Sequence, residues 1–127
     1  MHPVAAAIAA TLEAQAPADL VVLTAATVDF PSRATRTPDV LVAHRPGRER
    51  FTPGDVLLAV EVEPTPDDRT SSPALYGEHG VPHVWRVTPD PPTIRVFALR
   101  GGVHQQVAAS AHVIAHAPFR LQVDLGR

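Results

Sequence analysis

The run Val56-Leu57-Leu58-Ala59-Val60-Glu61-Val62 constrains the fold more than any other part of the chain. It follows a loop containing Pro46, Gly47, Pro53 and Gly54, and Pro64 and Pro66 come soon after it. A short β-branched and aliphatic run bounded by such breakers is a strand, and one that is apolar on both faces belongs in the middle of a sheet with helices over it. Side chains alternate along a strand, so Leu57, Ala59, Glu61 and Glu63 are expected on one face and Val56, Leu58, Val60 and Val62 on the other. Glu61 then stands where an apolar residue belongs. A lone carboxylate in such a place is costly unless it is paired, protonated or bound to a metal.

A second carboxylate, Asp39, stands at the mouth of the apolar run Val40-Leu41-Val42-Ala43, just after Pro38. If these two strands are neighbours, Asp39 and Glu61 come within a few ångströms of each other. Two carboxylates, a main-chain carbonyl and waters suit Mg²⁺, which prefers a few hard oxygen ligands and keeps much of its water. A buried Glu–Arg pair is the alternative use for Glu61.

The remaining segments build an α/β chain around these strands. Val4, Ile8 and Leu12 recur four apart over residues 3 to 16, with Pro3 suited to a first helical turn and Pro17 as a stop. Segments 20–24 and 27–30 read as strands. Ser72-Pro73 has the form of an N-cap and first-turn proline, opening a helix that runs to about His79 and stops at Gly80. Segments 83–88 and 93–99 form an antiparallel hairpin, Gly101-Gly102 turns the chain into 103–107, and strand-like pieces follow at 112–115 and 119–123. Residues 1–127 are expected to form one domain, a mixed sheet with helices packed on it.

Composition excludes several classes. With no cysteine there is no disulfide framework and no thiolate zinc site, which points to a reducing cytoplasm. The Ala-rich start has no Lys or Arg before its apolar run and is interrupted by Glu13, unlike a signal peptide, and no apolar stretch reaches membrane-spanning length. All 11 basic residues are arginine. Arg33, Arg36, Arg45, Arg48 and Arg50 against Asp39 and Glu49 make residues 33–50 locally basic in a chain of net charge −2. That segment is either a solvated arginine-rich loop or a strip facing phosphates.

Taken in order, Pro38-Asp39-Val40-Leu41-Val42, Ala59-Val60-Glu61-Val62, Asp68-Arg69, Ala74-Leu75-Tyr76, Gly80-Val81-Pro82-His83-Val84-Trp85-Arg86-Val87 and the closing Pro118-Phe119-Arg120-Leu121-Gln122-Val123-Asp124-Leu125 resemble the Uma-two family of restriction endonucleases. That family lies within the PD-(D/E)XK nuclease superfamily. The resemblance runs from about His2 to Leu125 and implies a restriction-endonuclease-like α/β/α sandwich with a central mixed sheet. It also implies DNA as substrate, Mg²⁺ or Mn²⁺ as cofactor, and Asp39 and Glu61 as metal ligands for phosphodiester hydrolysis.

Three departures mark this chain. The family pattern has a lysine four residues before the tyrosine, where this chain has Ser72. Arg69 lies nearby, but a guanidinium stays protonated and cannot help deprotonate water. The loop after Glu61 is about three residues shorter than the family's, with Glu63 as a supplementary ligand or a surface carboxylate. The family's N-terminal helix and strand pair are expected to be absent, which would leave apolar surface for a homodimer to cover. The implied function is therefore a metal-dependent endonuclease weakened at position 72. A non-catalytic nuclease-fold protein that binds nucleic acid or a protein partner, or a truncated inactive fragment, is the alternative.

Other candidates are weaker. His79 with His83, and His112 with His116, are spaced by four, but Gly80 and Pro82 break the first pair's helix. The second pair falls on strand-like sequence, where that spacing separates residues by about 13 Å. Tyr76 and Trp85 are expected to be core residues between helix and sheet. There is no Gly-rich phosphate loop and no nucleophile elbow.

Overall fold

The computed structural model describes residues 3–44, 50–62 and 72–126, without the side chains of residues 72–74. In chain order the elements are α1 (Pro3–Gln15), β1 (Leu20–Thr24), β2 (Val28–Asp29), β3 (Thr35–Arg36), β4 (Val40–His44), a 3-10 turn (Pro53–Asp55), β5 (Val56–Val62), α2 (Ser72–Glu78), β6 (His83–Pro89), β7 (Pro92–Arg100), β8 (Val103–Ser110), β9 (His112–Ala115) and β10 (Leu121–Asp124). Six of the strands form one sheet in the order β1-β4-β5-β6-β7-β8. Only β5 and β6 run parallel, joined through α2, and the other neighbours are antiparallel. A parallel pair requires a crossover, and α2 is that crossover.

Each face of the sheet has its own apolar layer, and the two layers explain why the central strands are apolar on both sides. On one face Val40, Val42, Leu58, Val60, Trp85, Val87, Ile94 and Val96 pack with Ala5, Ile8 and Leu12 of α1 and with Val113, Phe119, Leu121 and Val123 around β9 and β10. Those three α1 residues are fully buried, and burying Ile8 or Leu12 contributes about 1.5–3 kcal/mol each. On the other face Leu41, Ala43, Val56, Ala59 and Val84 pack with Tyr76 of α2 and with Val28, Phe30, Phe51 and Val81. Helix, mixed sheet, helix is an α/β/α sandwich with a central mixed sheet.

Three expectations need correction. Strict alternation along β5 fails at its start: Val42 pairs with Leu58 but Ala43 pairs with Val56, so a bulge takes up Leu57. Val56 therefore faces α2 with Ala59, and Leu57 packs toward α1; a bulge puts two residues of one strand against one of its partner and shifts the phase. The expected strand 27–30 is only two residues long, because the chain turns after it, with Arg33 N–H donating to Phe30 O at 2.9 Å, and pairs back through β3. The last strand begins at Leu121 rather than at 119, since residues 117–120 form a bend.

The end of α2 is fixed by two glycines and a histidine. Gly80 has φ +80°, the left-handed stop that a side chain disfavours. A Cβ on Gly77 would lie 3.0 Å from His104 Cδ2, so a bare glycine lets β8 approach the helix. His104 in turn donates its Nε2–H to Val81 O at 2.7 Å. Burial lowers the pKa of His104 despite opposing backbone hydrogen bonds, and burial together with the nearby His104 lowers that of His83. Both rings bind protons more readily in the unfolded chain, where the ordinary value is 6.5, so the stability they contribute is full above that pH and lost as pH falls through their lower folded values. Thermal melts should show Tm falling below pH 6.5, with a shallower fall in a His83→Asn/His104→Asn variant; an equally steep fall in the variant would assign the acid limb to other groups.

Candidate active site

The antiparallel register of β4 and β5 sets the site. Leu41 pairs with Ala59 and Val40 with Val60. One further step brings Asp39, at the bend before β4, opposite Glu61. Residues directly opposite in such a pair share a face, with Cβ atoms about 4.5–5.5 Å apart. That face is the one Leu41 and Ala59 present to α2. Where the ladder would continue, Val62 N–H donates to Asp39 Oδ2 at 2.8 Å, so a side chain replaces the next main-chain acceptor and is oriented by it. Asp39 and Glu61 are both half-buried.

Glu61 is held from the helix side. Tyr76 is fully buried on α2, and its hydroxyl donates to Glu61 Oε2 at 3.3 Å. Phe30 meets the Tyr76 ring edge-on with centroids 5.6 Å apart, which fixes the phenol over the carboxylate. Burial, then the Glu61 charge and its hydrogen bond, push the phenol well above the ordinary tyrosine value. Tyr76 is thus a fixed neutral donor to Glu61, a link that the sequence reading, which made Tyr76 only a core residue, did not contain.

The same rung continues across the sheet. Glu61 pairs with Arg86 on β6, and Arg86 with Arg95 on β7. Val84 on β6 and Phe97 on β7 pack in the layer that includes Tyr76, so by alternation Arg86 and Arg95 lie on that face too. Asp39, Glu61, Arg86 and Arg95 therefore form one row. Arg86 is 8% exposed and is a buried charged side chain in the sheet's centre. Sequence reasoning passed over it, although an arginine inside the apolar run Val84-Trp85-Arg86-Val87 is the same kind of signal as Glu61 in its own strand.

The other expected residues are placed as follows. Ser72 is the first residue of α2. Glu63, Asp67, Asp68 and Arg69 lie outside the described residues, as do Arg45, Arg48 and Glu49 of the basic segment. Arg50 makes a two-pronged ion pair with Asp29, both contacts at 2.7 Å, which holds the Asp29 carboxyl below its usual range and removes one arginine from the local positive excess. Arg36 donates to Thr35 O at 2.9 Å and stands close enough to Tyr76 to oppose the rise of its pKa. His79 meets the Phe30 ring at a tilt of 55°, with centroids 5.2 Å apart, and His112 meets the Gln122 side chain at 3.1 Å. Trp85 packs on the α1 face rather than under α2. Among the described residues no three His, Cys, Asp or Glu side chains gather as a metal cluster, and the carboxylates that those residues bring together here are Asp39 and Glu61. Their hard oxygens, oriented by Val62 N–H and Tyr76 O–H, fit a small divalent ion that retains water.

The family model described as "Putative restriction endonuclease", Uma2, matches residues 2–125. The chain belongs to that family. Among solved structures, it is similar to one described as "a putative nuclease belonging to DUF820" from Anabaena variabilis, at 15% identity and a TM-score of 0.62, over 97% of this chain and 75% of that one. At that identity the likeness defines the fold, a nuclease fold. No curated protein matches the chain. No helix among the described residues is long and apolar enough to cross a membrane.

The chain has a single tyrosine, so its phenolate absorbance reports this site alone. In urea it should titrate near the ordinary 10.0, and in the folded protein only well above that. The contribution of Tyr76 to stability is full below pH 10.0 and declines above it, as the unfolded phenol ionises while the folded one does not. Tyr76→Phe should remove this decline and cost about 1 kcal/mol. A folded phenol that titrates near 10.0 would contradict the Tyr76–Glu61 contact.

Proposed function

We propose that the chain is a metal-dependent DNA endonuclease in which Asp39 and Glu61 would hold Mg²⁺ or Mn²⁺, weakened because Ser72 stands where the family pattern has a lysine. The observation that supports this reading most is the register that sets Asp39, just before β4, opposite Glu61 of the adjoining β5 on one sheet face, within the fold of a nuclease family. Bound there, a divalent ion supplies a Lewis acid that lowers the pKa of its water and offsets charge on the phosphate. The chain's own groups have separate tasks. Val62 N–H and Tyr76 O–H hold the carboxylates in place before any ligand arrives, so little reorganisation is needed on binding. Burial of Tyr76 keeps the phenol protonated and excludes it as a general base.

Position 72 separates slow catalyst from relic. Loss of one electrostatic contributor typically lowers a rate about 10²–10³-fold. Mn²⁺-supported nicking of plasmid DNA should therefore be slow in the native sequence, faster in Ser72→Lys, and absent in Ser72→Lys/Asp39→Ala, which also controls for contaminating nuclease. A folded Ser72→Lys protein that nicks no faster than the native sequence would favour a nuclease-fold protein that binds nucleic acid without cutting it, the reading that Ser72 itself favours.

A further inference from the structure

The row Asp39, Glu61, Arg86, Arg95 is balanced, two negative against two positive groups. Arg86 and Arg95 are directly paired across β6 and β7, and like charges opposite each other in a sheet are unfavourable. Glu61, in register with Arg86 on the other side, offsets that repulsion while its charge is unshared. A divalent cation on Asp39 and Glu61 would leave the row with an excess of two positive charges, gathered on one face. Such an excess calls for an anion. A guanidinium remains charged at any working pH, and its planar fork matches phosphate oxygens two at a time.

A purely structural role explains Arg86 less well. A buried ion pair is often no more stabilising than apolar residues of similar volume. The neighbouring described rung on this face, Leu41–Ala59 with Ala59–Val84, is aliphatic and carries no charge. The arginine also sits on β6, next to the C-terminal end of β5, where the carboxylates of the proposed nuclease site converge.

We propose that Arg86, supported by Arg95 on the next strand, binds a phosphodiester of the nucleic acid at the Asp39–Glu61 site and supplies there the fixed positive charge that position 72 lacks. The inference rests on the nuclease reading. It goes beyond that reading by assigning substrate contact to a residue on β6, the strand that follows the helix that carries Ser72.

The test reads binding with a hard divalent cation supplied. A fluorescein-labelled short DNA duplex is titrated with protein in Ca²⁺ at several salt concentrations, with an EDTA series alongside, and anisotropy gives affinity and its salt slope. Removing one phosphate contact lowers the slope of log K against log salt by about one. Arg86→Gln should lose that one unit and bind roughly tenfold or more weakly, while Arg86→Lys should keep the slope. An unchanged slope with a lowered Tm in Arg86→Gln would overturn the proposal and make Arg86 a structural counter-charge for Glu61. Should Arg86→Gln not fold, Glu61→Gln/Arg86→Gln is compared with Glu61→Gln under the same conditions, since neither then leaves a carboxylate at position 61; equal slopes in those two proteins again overturn it. Binding that depends on Arg86 without any Mn²⁺-supported nicking upholds the phosphate contact and rejects catalysis. Absence of DNA binding by the native sequence rejects both.

Discussion

The register between β4 and β5 is the constraint on which the rest of the site depends. Side-chain direction in a strand has period two, so a slip of one residue would send Asp39 and Glu61 to opposite faces and reverse both apolar layers together. That coupling protects the register. Val40, Val42, Leu58 and Val60 are committed to α1, and Leu41 and Ala59 to α2, so a slipped sheet would expose aliphatic surface on both sides. The bulge at Leu57 lies at the far end of β5 and leaves the pairing from Leu58 onward intact. Two carboxylates are thus brought together by hydrophobic packing alone, before their mutual repulsion is considered.

That repulsion is met locally. Val62 N–H and Tyr76 O–H each donate to one carboxylate, and Arg86 is the next residue along the rung. Such groups hold charge in place in a region of reduced dielectric, where hydrogen bonds to ions are stronger than in water. The helix that delivers Tyr76 is itself positioned by Phe30 and by the contact of Gly77 with His104. The hairpin carrying Phe30 is clamped by the Asp29–Arg50 pair and by two main-chain bonds to Phe51, at 2.7 and 3.1 Å. A surface ion pair of this kind is worth little by itself. Its importance lies in where the hairpin ends up, not in its own energy.

Much of this was legible in the sequence where one physical cause dominated. Val4, Ile8 and Leu12 announced α1, Gly80 its stop on α2, and Gly101-Gly102 the turn before β8, because periodicity and left-handed backbone leave direct marks in residue type. The order of Asp39, Glu61 and the flanking strands sufficed for the family. Strand partners were less visible: nothing local in Leu20–Thr24 says that it lies against β4 rather than beside β2. The bulge at Leu57 and the brevity of β2 come from long-range pairing, and the row through Arg86 exists only once β5 and β6 are parallel and in register. The count of charges over residues 33–50 could not include Asp29, the residue that pairs with Arg50 only once the chain is folded.

The central claim is that Asp39 and Glu61 share one divalent ion. Crystals soaked in Mn²⁺ and measured at the manganese absorption edge test it directly through the anomalous difference map. The account predicts one dominant peak that is first-neighbour to a carboxylate oxygen of both residues, at about 2.1 Å as for a small, hard divalent cation. A peak bound to other residues, or none near Asp39 and Glu61 at saturating Mn²⁺, would contradict it.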